Sequence, residues 1–182
     1  KAFGEKFVFE DRKLILEKSG FKFLNVRNQD VPTYVMHGAA DLGVVGLDVL
    51  EEKEYDLIKL LDLKLGRCKV AFGLRAGEKL NFDKSKITIA TKHEKIAKKY
   101  FEQKAMAVEI IKLYGSIELA PLVGLCDCIV DIVETGETMK QNGLEVGPTI
   151  METTAHLIAN KNSFYAKKDL IFDLKDKLEK FL

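Results

Sequence analysis

Two periods of apolar and polar residues alternate along this chain, and the switches between them predict its elements. Lys6–Phe9 and Phe21–Val26 read as short strands, and Gln29-Asp30-Val31-Pro32 reads as the cap and first turn of a helix reaching about His37. The small residues of Gly38–Gly46 allow a close turn into a buried strand, after which a helix begins at Leu47 or Asp48. Leu57–Leu63 fits either a strand or a helix, and Lys69–Leu74 fits a strand. Strands at Ile87–Thr91, Val108–Leu113 and Cys128–Val133 then alternate with helices at His93–Lys104, Ile117–Leu125 and Thr138–Gln141. The run from Val146 to about Ala159 is extended, and Lys167–Phe181 is amphipathic, with Leu170, Ile171, Leu174, Leu178 and Phe181 on one stripe.

Such alternation predicts an α/β fold with mostly parallel sheets. The polar stretch Arg75–Lys86 is the natural crossing between two lobes, and the long extended run is the natural return. Residues 1–84 with 155–182 are therefore expected to form one lobe and 85–154 the other.

The most informative stretch is Cys128–Gly143, C-I-V-D-I-V-E-T-G-E-T-M-K-Q-N-G. A buried strand runs into a small polar loop and then a first helical turn, closed by Asn142-Gly143. Such a turn aims unpaired backbone N–H groups and the positive end of a helix dipole at one point, which suits a phosphate. Gly136 allows close approach, and the hydroxyls of Thr135 and Thr138 can donate further hydrogen bonds. Asp131 and Glu134 do not suit a bare phosphate cup. They point instead to sugar hydroxyls or a divalent metal, and so to a sugar phosphate. An ordinary βα turn with a capping Thr and Glu is the competing reading. Arg27, at the expected carboxyl end of a strand, suits an anionic substrate or else a surface ion pair.

The 182 residues can bury a proper core, and a net charge of +1 disfavours a dedicated nucleic-acid or membrane-surface binder. There is no apolar run of membrane-spanning length, and the segment is expected to carry no export signal. Cys68, Cys126 and Cys128 read as reduced thiols of a cytoplasmic protein, and His37, His93 and His156 are too dispersed for a zinc site. Neither a Walker loop nor a hydrolase elbow is present.

Five segments, in order, resemble the ATP phosphoribosyltransferase family. They are Val26–Val35 (V-R-N-Q-D-V-P-T-Y-V), Gly38–Gly43, Gly66-Arg67-Cys68, Tyr114–Pro121 (Y-G-S-I-E-L-A-P) and Asp131–Gly136, and the resemblance runs from about Phe21 to the end. It implies a two-lobed fold like the type II periplasmic binding proteins, with substrates in the interlobe cleft. It also implies the reaction that opens histidine biosynthesis, in which N1 of ATP's adenine displaces pyrophosphate from 5-phosphoribosyl 1-pyrophosphate (PRPP) with Mg²⁺. By resemblance, Glu134, Thr135, Gly136, Glu137 and Thr138 hold the 5-phosphate, and Asp131 and Glu134 lie near the ribose. Arg27 and Glu118 act at the pyrophosphate, with Glu118 near its metal, and no residue is assigned to ATP. No covalent nucleophile is needed, since Mg²⁺ and Arg can stabilise the leaving charge while carboxylates tolerate the oxocarbenium-like centre.

Relative to the family pattern, the chain is expected to lack the first twenty or so residues, including a Lys-Gly-Arg turn that helps bind ATP. It is also expected to be the short form, which works with a regulatory subunit resembling histidyl-tRNA synthetase. Two other functions fit the same residues: another phosphoribosyltransferase, since a D-x-x-E/D-T-G-x-T loop also resembles the type I enzymes, and a two-lobed binding module for a small anion.

Overall fold

The computed structural model describes residues 6–10 and 12–182. In chain order the elements are β1 (Ile15–Lys18), β2 (Phe21–Leu24), α1 (Val31–Met36), β3 (Leu42–Gly46), α2 (Leu47–Lys53) and β4 (Ile58–Asp62). Then follow β5 (Cys68–Arg75), β6 (Ile87–Thr91), α3 (Glu94–Glu102), β7 (Val108–Lys112), α4 (Leu119–Leu122), β8 (Cys128–Val133) and α5 (Glu137–Gln141). The chain ends with β9 (Leu144–Thr153), β10 (Ala155–Ala159), α6 (Lys161–Ala166) and α7 (Lys168–Glu179).

These elements gather into two compact units, one drawn from residues 1–50, 54–65 and 154–182, the other from 51–53 and 66–153. The first passage between them thus falls near Gly66 rather than in the polar stretch after Arg75. The reason is β5: it pairs along its length with β8 and β9 and belongs to the second sheet, so residues 76–86 form a connection inside that unit. The return falls at Thr154, where the extended run breaks into two strands belonging to different sheets.

In the first unit, β3-β10-β4 is a fully antiparallel sheet, not a parallel one. Helix α1 packs on it at Gly43, where a Cβ would come within 2.6 Å of Val31 and 2.8 Å of Val35. The small core there is Val35, Val45, Val49, Leu50 and Ile158. Asn160 fastens this arrangement. Its side chain accepts from the Ser163 N–H at the start of α6 and donates to the carbonyls of Val35 and Met36 at the end of α1.

β1 and β2 form a separate two-stranded antiparallel hairpin. Its turn, Ser19-Gly20, has φ of +53° and +77°, the left-handed pair that matches strand twist in a two-residue hairpin loop. Lys6–Phe9 was expected to be a strand and is irregular. Phe7 stacks on Phe23 at 4.7 Å, while the Lys18 ammonium donates to the Lys6 carbonyl, so side chains hold this segment without a ladder. The helix expected at Lys167–Phe181 is present as α7, and a separate short helix, α6, precedes it. Of the predicted apolar stripe only Ile171 is buried, while Leu170 and Phe181 are exposed.

The second unit is a five-stranded mixed sheet in the order β7-β6-β8-β5-β9. β6 runs parallel to β7 and β8, whereas β5 is antiparallel to β8 and β9. Both faces are covered, so β8 alternates its apolar side chains between two cores. Cys128 and Val130 join Phe72, Ile89, Ile96 and Phe101 beneath α3, while Ile129 and Val133 join Ala71, Ala90, Ile117 and Met139 on the α4 and α5 side. Burying Phe101 completely contributes about 2–3 kcal/mol. β9 is an edge strand, which is why it tolerates Gly147 and Pro148 within ten residues.

Candidate phosphoribosyl site on the second unit

Three parallel strands place their carboxyl ends on one edge of this sheet. Thr91 is in register with Lys112 of β7 and Val130 of β8, so the residues after them emerge side by side. These are Lys92-His93 after β6, Leu113–Glu118 after β7, and Asp131 together with the Glu134–Thr138 loop of β8. In open α/β sheets this is the edge where ligands bind.

The loop has the form its residues predicted. Gly136 adopts φ +84°, and a Cβ there would meet Val146 at 2.8 Å, so both conformation and space require glycine. Thr135 Oγ1 accepts from the Glu137 N–H at 3.3 Å, and its hydroxyl proton is left to donate outward. Helix α5 is a single turn, opened at Gly136 and closed by Asn142, whose amide donates to the Thr138 carbonyl, followed by Gly143 at φ +74°. Buried Met139 anchors it to the sheet, while Glu134, Thr135, Glu137 and Thr138 are all exposed.

Asp131 sits differently from the loop residues. It lies within β8 opposite Ala71, with its side chain only 17% exposed. Oδ1 is shielded from solvent and receives no well-aligned hydrogen bond. It lies 3.1 Å from the Lys92 ammonium and 3.7 Å from His93 Nε2. The end of β6 is fixed for this purpose: the fully buried Thr91 hydroxyl donates to the Val130 carbonyl at 2.6 Å and accepts from the His93 N–H at 2.8 Å. Sequence reasoning missed Lys92 altogether. The usable signal was position alone, immediately past a strand end in a βα repeat.

Glu118 sits at the cap position of α4 but makes no side-chain bond to that helix, which is four residues long rather than the expected nine. Its loop is tightly constrained, with Ser116 at φ +48°. Arg27 is exposed and lies in the first unit, at the start of a 3-10 turn, Asn28–Asp30. It follows β2 of the isolated hairpin, so the reasoning that placed it at the carboxyl edge of an open sheet does not hold. Burial pushes the Cys126 and Cys128 thiols up, which keeps them protonated and leaves no thiolate for metal or redox chemistry. Among the described residues no group of three His, Cys, Asp or Glu side chains could cage a metal. No described helix is long and apolar enough to cross a membrane.

The fold is that of the type II binding proteins. A substrate-binding protein of an amino acid ABC transporter superposes with a TM-score of 0.60 over 86% of this chain and 71% of its own, at 14% identity, which speaks for fold alone. Relatives of known name narrow this further. A protein of Sulfurovum sp. strain NBC37-1 is 65% identical over 97% of this chain and 86% of its own, and one of Wolinella succinogenes is 65% identical over 99% and 87%; both are named ATP phosphoribosyltransferase. The HisG:HisZ ATP phosphoribosyl transferase complex of Thermotoga maritima matches with a TM-score of 0.82 at 36% identity, over 98% of this chain and 88% of that one. The ATP phosphoribosyltransferase family model covers residues 27–180, and the chain belongs to that family of pentosyl transferases, which act at the first step of histidine biosynthesis.

Proposed function

We propose that the edge formed by β6, β7 and β8 binds the phosphoribosyl group of PRPP during transfer to ATP. The observation that carries this is the Gly136 turn, whose left-handed conformation opens α5 between Thr135 and Thr138, with the Asp131 carboxylate on β8, the strand that leads into it. The 5-phosphate sits at Glu134–Thr138, accepting hydrogen bonds from the Thr135 and Thr138 hydroxyls and the loop backbone, with Gly136 allowing its approach. Asp131 and Glu134 face the ribose hydroxyls. Adenine N1 then forms a bond to the anomeric carbon as the bond from that carbon to pyrophosphate oxygen breaks, giving N1-(5-phosphoribosyl)-ATP and pyrophosphate. The carboxylates favour the positive charge that develops on the sugar.

Mg²⁺, brought with the pyrophosphate group and met by Glu118, would supply Lewis-acid stabilisation of the leaving group. The absence of a three-residue metal cluster among the described residues suits a cation held mainly by substrate, with Glu118 as the protein's contribution. The enzyme works in the cytoplasm, in keeping with cysteines that form no disulfide among the described residues, and pairs with a regulatory subunit related to histidyl-tRNA synthetase, as the Thermotoga relative's HisG:HisZ assembly suggests.

Calorimetric titration of PRPP with and without Mg²⁺ tests the site. Thr138→Ala and Glu134→Gln are each expected to weaken binding by about 1–3 kcal/mol while leaving the melting temperature unchanged. Unchanged affinity in both variants would sink the assignment of the loop.

A further inference from the structure

A carboxylate beside a bound phosphate is unfavourable unless something offsets its charge and fixes its direction. Asp131 is in that position, three residues before the loop on the same strand. We propose that Lys92 is a positioning residue that solves both problems: it neutralises Asp131 and holds Oδ1, so that Oδ2 is presented to the ribose hydroxyls of a 5-phosphoribosyl ligand. This rests on the reading of the Glu134–Thr138 loop as the site of the 5-phosphate.

Several observations converge on it. Lys92 Nζ lies 3.1 Å from Asp131 Oδ1, with the lysine side chain 36% exposed and the carboxylate 17% exposed, so the pair is partly sheltered from solvent. Oδ1 is shielded from solvent, and the Lys92 ammonium is the cation nearest to it among the described residues. Lys92 reaches Asp131 because the register of β6 against β8 sets the residue after Thr91 beside the residue after Val130. That register is locked by the Thr91 hydroxyl, which bridges the Val130 carbonyl and the His93 N–H. His93, 5% exposed, fills the space behind the carboxylate with Nε2 at 3.7 Å and limits its rotation. Lys112, after β7 at the same edge, is paired with Glu94 at 2.9 Å, whereas Lys92 is the lysine whose ammonium lies against Asp131. Thr91 and Lys92 thus divide the work: the buried hydroxyl sets the strand spacing, and the half-exposed ammonium sets the carboxylate.

The test is a double-mutant cycle on the full-length enzyme, with PRPP affinity in the presence of Mg²⁺ read by calorimetry. Lys92→Met is expected to weaken PRPP by about tenfold, the scale of one sheltered charge-assisted contact. Lys92→Arg, which keeps the charge and the reach, should restore binding to within about threefold. Because Lys92 acts through Asp131, the Lys92→Met/Asp131→Asn double variant should bind no more weakly than Asp131→Asn alone. The proposal is overturned if Lys92→Met binds PRPP like the unmodified enzyme, if the two single losses multiply in the double variant, or if Lys92→Arg is as weak as Lys92→Met. An unmodified enzyme that fails to bind PRPP would refute the loop reading itself, whereas normal binding with an inert Lys92→Met refutes only the role of Lys92.

Discussion

Gly136→Ala is the most incisive single change, because two separate costs can be assigned to it and one of them can be removed. At φ +84° an alanine carries the left-handed penalty of about 1–2 kcal/mol. Its Cβ would also lie 2.8 Å from the Val146 methyl on β9, well inside ordinary carbon contact, and relieving that overlap costs about 1 kcal/mol more. The sum, about 2–3 kcal/mol, should appear as a lower denaturant midpoint with unchanged slope. PRPP affinity should fall at least about tenfold, because the turn that shapes the phosphate site is displaced. Adding Val146→Ala to Gly136→Ala removes the overlap but not the backbone penalty, so it should recover roughly a third to a half of the lost stability and little of the affinity. A Gly136→Ala variant with native midpoint and native affinity would refute the reasoning, as would a Val146→Ala second change that restored binding fully.

Other consequences are more local. Thr91→Val leaves a buried Val130 carbonyl and a buried His93 N–H without their shared partner, and should cost about 1–3 kcal/mol in denaturant unfolding; an isosteric swap of no consequence would show that the hydroxyl does not hold β6 to β8. Asn160→Ala removes the cap of α6 and two donations to the end of α1, and should lower stability by about 2–3 kcal/mol in the same assay. Asp62 is held well below the usual carboxylate range by the Lys64 side chain, the Lys64 N–H and the Thr154 hydroxyl. A depressed folded-state pKa stabilises above the unfolded value and is lost as pH falls. Asp62→Asn should therefore be less stable than the parent at pH 7, and the difference should vanish in melts well below pH 4; a pH-independent difference would count against this ion pair.

The chemistry of this chain was far more legible in its sequence than its pairing. The loop from Glu134 to Thr138 is local, and turn residues, strand pattern and helix stop all lie within sixteen positions of one another, so the structure and the reading agree there closely. Sheet membership is non-local. The apolar run of β5 gave no hint that it pairs antiparallel with β8 and β9, and so the domain passage was placed about twenty residues too late. A fully buried strand looks the same in parallel and antiparallel sheets, which is also why the antiparallel β3-β10-β4 sheet was not foreseen. The β1–β2 hairpin was missed for a different reason. Its turn is Ser19-Gly20 rather than Asn-Gly, and its strands are four residues each, too short to establish a period.

Asp131 shows how the two kinds of information combine. The sequence exposed a conflict, a carboxylate where a phosphate was expected, and sugar hydroxyls or a divalent metal were its proposed resolution. The structure adds what no reading of β8 alone could supply, since the compensating cation belongs to a strand end thirty-nine residues earlier and meets Asp131 only through the β6–β8 register. A charge that conflicts with its local motif is therefore a reason to search neighbouring strand ends for its partner. It also explains why Lys92 could be passed over as one more lysine beside a lysine-rich helix: its significance lies in the pairing, and pairing is the part of a β-sheet that a sequence states least directly.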